Sequence, residues 1–225
     1  LSEERTLYKF SPAGELLNQI TSPEFSRMNA TAFSPDGKTL YLRGENAGII
    51  ALDINNFDIR WTYGNSGNAI SPVVDSYGNI YSLQFPDEQN NYLISVNSEG
   101  ILNWKYEIDE WLNFIVSSPA IGKYGSIYCG ADTLYSISYK GELEWKIEVE
   151  TGIAEITTDA SGNVLIGTFD NRVLLISSKG VVLHEVQIPQ APTGGGMLPI
   201  VVSDDAIYAP LYNGWDDNGD VYILK

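Results

Sequence analysis

The phrase GILNWKYEID at residues 100–109 returns as GELEWKIEVE at 141–150, and this recurrence constrains the fold more than anything else in the chain. Aligned on the tryptophan, the phrase continues through Asn18, Trp61, Trp104, Trp145 and His184, at spacings of 43, 43, 41 and 39 residues. Eleven residues before each stands an apolar residue that opens a strand-like run: Leu7, Ile50, Leu93, Leu134 and Val173. A third ladder runs through Tyr41, Tyr81, Tyr128, Leu165 and Tyr208, and a fourth begins at Thr31, Pro72, Pro119, Ile156 and Pro199. An internal period of about 40 residues marks a repeat architecture in which each repeat is one supersecondary unit.

Each period holds four short runs rich in Val, Ile, Tyr and Phe, separated by Gly, Asn and Asp, and this pattern predicts a four-stranded antiparallel unit. The strands are lettered A to D, with the SPAI type as A and the tryptophan strand as D. No helical period competes with this reading. A lone four-stranded sheet cannot cover both its faces, so the repeats must stack, which predicts an all-β fold, a β-propeller of four-stranded blades. The tryptophans are then outer-strand residues that pack one blade on the next, while Gly100 and Gly141 supply the positive φ of the turn before them. His184 and Asn18 break this pattern and predict two blades that pack differently.

The expected domain is one propeller over residues 1–225. Its repeats are approximately 28–64, 68–107, 115–148, 153–188, and 197–225 joined by 5–20. Five periods and one further strand, VYILK from Val221, leave two arrangements open. The first is a five-bladed ring in which VYILK is left over or displaces LYKF; the second is an arc of a ring of roughly six to eight blades. The five-bladed ring is preferred because an arc would expose strand edges. Leu1 is not Met, which leaves room for a removed leader or a further domain ahead of it.

The stretch SPAIGKYGSIYCGADTLYSISYKGELEWKIE resembles the repeat of quinoprotein-like (PQQ-like) β-propellers. That group contains the pyrroloquinoline-quinone dehydrogenases and the propeller lipoprotein of bacterial outer-membrane assembly. The resemblance covers nearly the whole chain and is clearest from Ile70 to Glu148; AFSPDGKTLYL in the first repeat departs from it. It implies a periplasmic or extracellular setting. It also raises a quinone cofactor, which the residues oppose: the family's dehydrogenases clamp it with two adjacent cysteines, and Cys129 is the only cysteine. No cofactor is therefore expected, and Cys129 reads as a small buried residue on strand B.

Thirteen basic against twenty-nine acidic residues give a net charge of −16, a field that repels nucleic acid and anionic lipid. No apolar run approaches the roughly 18 residues of a membrane span. The partner classes left are protein and carbohydrate; the oligomeric state stays open.

Candidate recognition residues follow from loop lengths. A to B intervals are nine or ten, and C to D intervals are all eleven. B to C intervals run 9, 12, 6, 8 and 13, and D to A intervals 13, 11, 15, 11 and 15. The variable connections share one face of the disc, and long irregular loops on a rigid scaffold carry recognition. On them lie Phe85, Asp87 and Glu88, then Trp111 and Phe114, then Tyr212 and Trp215, aromatics among polar groups as in a binding patch. The alternative is that Trp111 and Trp215 only cap the core. The run Asp216, Asp217, Asn218 and Asp220 offers oxygen ligands on a tight turn but lacks the later bidentate Glu of an EF-hand loop, so it reads first as a solvated acidic turn and second as a calcium site. His184 is the only histidine and sits at a structural position, so no catalytic residue is expected. The function read from the sequence is a non-enzymatic binding scaffold; the alternative is a cation- or quinone-dependent enzyme at the channel mouth.

Overall fold

The computed structural model describes residues 5–25, 31–44, 48–64, 70–85, 90–109, 117–189, 200–203, 206–212 and 219–224. Those residues form strands, turns and loops, with no helix among them. The chain divides into two compact units, Leu1–Asp109 and Glu110–Lys225.

The first unit holds three antiparallel sheets. β1 (Thr6–Phe10) pairs with β2 (Leu16–Thr21) alone. A complete blade follows in the order β3 (Ala32–Phe33), β4 (Thr39–Gly44), β5 (Gly48–Asp53) and β6 (Ile59–Tyr63). The next is β7 (Val73–Val74), β8 (Ile80–Gln84), β9 (Tyr92–Val96) and β10 (Leu102–Glu107). The second unit repeats the plan twice, in β11 (Ala120–Ile121), β12 (Ile127–Gly130), β13 (Thr133–Ile137) and β14 (Leu143–Glu148), then β15 (Ile153–Thr158), β16 (Val164–Thr168), β17 (Arg172–Ile176) and β18 (Val182–Gln187). It ends in a three-stranded sheet of β19 (Val201–Val202), β20 (Ile207–Tyr212) and β21 (Gly219–Leu224). VYILK forms β21, which takes the C position of the last sheet, while LYKF lies in β1 and pairs with β2.

Two-residue periodicity sorts the side chains. In the four complete blades strands B and C are largely buried on both faces and read as apolar runs; strand D alternates exposed residues with half-buried ones in β6, β10 and β14, while β18 is exposed throughout. Within each unit, each sheet meets the next face to face. Within the first unit, Leu7 and Ile20 of the first sheet rest on Phe25, Leu40, Leu42, Ile50 and Leu52. Tyr41, Ile49, Ala51 and Trp61 of the second sheet then rest on Ile80, Ile94 and Val96 of the third. Within the second unit, Tyr128, Leu134, Trp145 and Ile147 meet Ile156, Ile166, Leu174 and Ile176, and Leu165 and Val173 meet Ala209, Tyr222 and Leu224. Stacked four-stranded sheets of one repeat are the blades of a β-propeller.

The tryptophans do what their register predicts. Each leans on the strand B tyrosine of its own blade, with ring centroids 5.7 Å apart for Tyr41 and Trp61, 5.9 Å for Tyr81 and Trp104, and 5.6 Å for Tyr128 and Trp145. The indole then reaches the neighbouring blade. Trp61 Nε1 donates to the Ser98 carbonyl and Trp145 Nε1 to the Ser178 carbonyl, each at 2.9 Å. Those carbonyls open the C to D turns that contain Gly100 and Gly180. A Cβ on either glycine would fall 2.7 or 2.8 Å from the incoming ring, so these glycines serve both the left-handed turn and the indole above it.

One expectation needs correcting. The offset between strands C and D is not constant, because Trp61 lies opposite Ala51, whereas Trp104, Trp145 and His184 lie opposite Ser95, Ser136 and Leu175. The first complete blade has one extra residue in that turn, which closes from the Phe57 amide to the Asp53 carbonyl rather than over three residues. The apolar ladder in strand C therefore passes through Ile49 instead of Ile50.

Candidate functional site

The A to B and C to D turns form one end of each sheet, and eight of them are built to one plan. Gly37, Gly78, Gly125 and Gly162 on one set, with Gly14, Gly100, Gly141 and Gly180 on the other, each donate an amide to the carbonyl three residues earlier. The B to C and D to A connections at the opposite end differ in length along the sequence.

Of the residues the sequence singles out there, Phe85 follows β8 and is half-buried. Tyr212 and Asp220 lie at the tips of β20 and β21, where Tyr212 pairs with Gly219 and Leu211 with Asp220. Asp87, Glu88, Trp111, Phe114, Trp215, Asp216, Asp217 and Asn218 lie outside the described residues. Among the described residues no group of three His, Cys, Asp or Glu is arranged to hold a metal ion. His184 is exposed on β18, and Cys129 is buried on β12.

Beside Phe85 the loop end is tied together by Gln84. Its buried amide wedges against Gly48 and Gly64, where an added Cβ would lie 2.7 and 2.9 Å away, and its Nε2 has no hydrogen-bond partner among the described residues. Tyr92 stands nearby with Lys105 Nζ 4.5 Å above its ring.

The sequence reading passes over a second group in the other unit, at the short B to C loop Phe169–Asn171. Arg172 gathers three acceptors: its Nε donates to Asp170 Oδ2 at 2.8 Å, Nη1 to Glu185 Oε1 at 3.0 Å and Nη2 to Thr151 Oγ1 at 3.1 Å. Thr168 donates to the other oxygen of Asp170. Burial alone would raise the Asp170 pKa, but the hydrogen bonds from Thr168, Thr151 and Arg172 outweigh it and hold the carboxyl below its ordinary range. With the guanidinium so engaged, the group shows solvent the Phe169 ring and the exposed carboxylates Asp132, Glu150 and Glu185. Loop length cannot flag such a site. The signal available was an aromatic followed at once by charged residues, in FDNR.

Glu155 is the other residue missed. It begins the EITT run on inner strand β15, at the place held by Ser71 and Ser118 in their repeats, and burial pushes its pKa up despite a hydrogen bond with Ser117. An unfolded chain ionises Glu155 near pH 4, while the folded chain resists, so its ionisation costs stability once the pH exceeds the folded value. Glu155→Gln is expected to raise Tm at pH 7 and to leave it unchanged below about pH 4. A thermal melt at each pH checks this, and equal shifts at both would mean that charge is not the cause.

The turn end has a feature of its own. Tyr77, Tyr124 and Tyr139 are the most exposed aromatic rings among the described residues, and Lys123 and Lys140 lie over the last two.

The blades, their register and the tryptophan ladder together define a β-propeller. No protein-family model matches the chain, and no curated protein matches its sequence. Solved structures do match. BamB from Moraxella catarrhalis is similar over 92% of this chain, with a TM-score of 0.65 and 14% identity. This chain covers 64% of that structure, less than two thirds of its length. A protein of unknown function from Bacteroides caccae is similar over 94% of this chain and 84% of its own, with a TM-score of 0.62 and 11% identity. At such identities the likeness establishes the fold alone.

Proposed function

We propose that this chain is a non-enzymatic recognition scaffold, which offers the loop ends of its blades to a protein or glycan partner. The observation that carries the reading is the contrast between the two ends. One is built from repeated hydrogen-bonded glycine turns, and the other changes in length and composition at every blade. The aromatic and acidic group around Phe169 and Asp170 has the make-up of a recognition patch, as do the tryptophans Trp111 and Trp215 in sequence. The period runs on without a break past Asp109, which supports reading residues 1–225 as one propeller domain. The family resemblance and the likeness in fold to BamB support a protein partner and a periplasmic or extracellular setting. No helix among the described residues is long and apolar enough to cross a membrane. No cofactor belongs to this reading: the paired cysteines that clamp the quinone in the family are absent, and calcium at Asp216 to Asp220 is the minor alternative.

A second reading rests on the exposed tyrosines, which would place the docking surface at the turn end. Peptide and glycan arrays separate the two. Trp111→Ala and Phe169→Ala are expected to weaken capture about tenfold or more while Tyr124→Ala and Tyr139→Ala leave it intact. The reverse pattern would move the surface to the turn end. A large rise in Tm on adding calcium or pyrroloquinoline quinone would favour the enzyme alternative, because a ligand of the native state must stabilise it.

A further inference from the structure

Three connections of the second unit meet at Gly152 and are laced together through their backbones. The Val149 amide donates to the Asp132 carbonyl at 2.6 Å, the Ile153 amide to the Ala131 carbonyl at 2.7 Å, and the Phe169 amide to the Gly152 carbonyl at 3.2 Å. Gly152 has a φ of 78°, and a Cβ placed on it would fall 3.0 Å from the edge of the Phe169 ring and 3.2 Å from Asp132 Oδ1. An aromatic ring and a carboxylate therefore converge on one residue that has no side chain, and the lacing fixes their spacing before any ligand arrives.

Both groups are left open. Phe169 is 42% exposed, with no other ring and no cation against it among the described residues. Asp132 is exposed, as is Glu150 in the same turn as Gly152, and neither side chain has a hydrogen bond or ion pair among the described residues. The nearby cation is already engaged, because Arg172 is held by Asp170, Glu185 and Thr151. Four carboxylates are thus balanced by one guanidinium, next to a ring whose face is electron-rich.

This chemistry selects its occupant. An acidic ligand would be repelled, and a purely apolar one would strip water from Asp132 without replacing it. A cationic side chain meets both demands, with its charge on the ring face and on the carboxylate. We propose that Phe169 and Asp132 form a seat for a lysine or arginine side chain of a protein partner, with Glu150 adding to the field that attracts it. The inference rests on the reading of the loop ends as the recognition surface, and narrows the partner there to a basic segment. The net charge of −16 acts in the same direction and draws such a segment in from a distance.

Fluorescence anisotropy with labelled peptides tests the seat, using an uncharged Gly-Ser peptide and the same frame with lysine or with glutamate at alternate positions. The lysine peptide is expected to bind at low salt and to weaken as salt rises, and the other two are expected not to bind. Phe169→Leu keeps an apolar side chain beside Gly152 but removes the ring face, and Asp132→Asn keeps the size but removes the charge. Each should weaken the lysine peptide about threefold or more. Both positions are exposed, so both variants should keep the parent circular dichroism spectrum and Tm. Glu142→Gln removes the same charge from an exposed residue at the turn end and should leave binding nearly unchanged. A lysine peptide that does not bind overturns the proposal, as does a Phe169→Leu variant that binds like wild type. Equal weakening by Glu142→Gln and Asp132→Asn also overturns it, because the attraction would then belong to the charge of the whole chain. The broader reading is tested apart from this one: an array-captured partner that needs Phe169 but neither Asp132 nor low salt would keep the loop-end surface and remove the basic seat.

Discussion

Replacing Trp145 with alanine is expected to lower the stability of the chain by roughly 3 to 5 kcal/mol, nearer the lower figure because the ring is half-buried. Three contacts go at once: the tilted stack on Tyr128, the hydrogen bond to the Ser178 carbonyl and the apolar cover over the cluster of Ile156, Ile166, Leu174 and Ile176. Trp104→Ala, which removes the same stack from Tyr81, should cost a similar amount. His184→Ala should cost under about 0.5 kcal/mol, since that side chain is exposed on β18. Urea denaturation of the three variants measures this, and equal losses would show that the tryptophan column is not the joint between blades. The glycine beneath the ring supplies an internal check. Gly180→Ala forces a Cβ to within 2.8 Å of Trp145 at a φ of 76°, and should itself destabilise. In the double variant the ring is gone, so the two losses should sum to less than their separate values.

The same contact explains why the fold was legible in the sequence. A blade joint needs a large flat side chain on one sheet and a residue without a side chain on the next. Trp and Gly therefore recur in phase, and a single alignment finds them together. Strand B and C runs are apolar on both faces because both faces are covered, which makes them stand out without any alternation. The recognition surface has no such rule. Its residues answer to a partner outside the chain, so neither period nor alternation points to them, and length was the only proxy. Length picks out the long loops around Asp87 and Trp215 but misses the short loop of Phe169 and Asp170, whose order comes from Arg172 and Glu185 on neighbouring strands. Glu155 escaped for a different reason. Its repeat position is held by serine elsewhere, and that regularity concealed the single charged exception.

Where the tryptophan pattern fails, the structure suggests its replacement, and this is the second large effect. Asn18 holds the tryptophan position of the first sheet, and the blade that follows has Phe57 where Gly100 and Gly180 stand in theirs. Lys9, opposite Asn18, reaches this turn directly, its Nζ donating to the Ile54 carbonyl at 3.0 Å. Phe57 is buried, at a φ of 64° that costs a bulky residue about 1 to 2 kcal/mol. A ring in this conformation is tolerated only where its burial returns more than the strain. Its burial and its place in the turn make Phe57, on the receiving blade, the expected stand-in for the missing indole. Phe57→Gly relieves the strain but loses the buried ring, for a net loss of roughly 2 to 3 kcal/mol. Asn18→Trp alone has no glycine to rest on and should stabilise nothing. Combined, the two restore the pairing seen between Trp61 and Gly100, and should recover at least about 1 kcal/mol beyond the sum of the single changes. A double-mutant cycle by urea denaturation reads that coupling directly. Simple additivity would mean that Phe57 does not stand in for the missing indole, and that Leu7, Ile20 and the Lys9 hydrogen bond hold the first sheet to its neighbour without it.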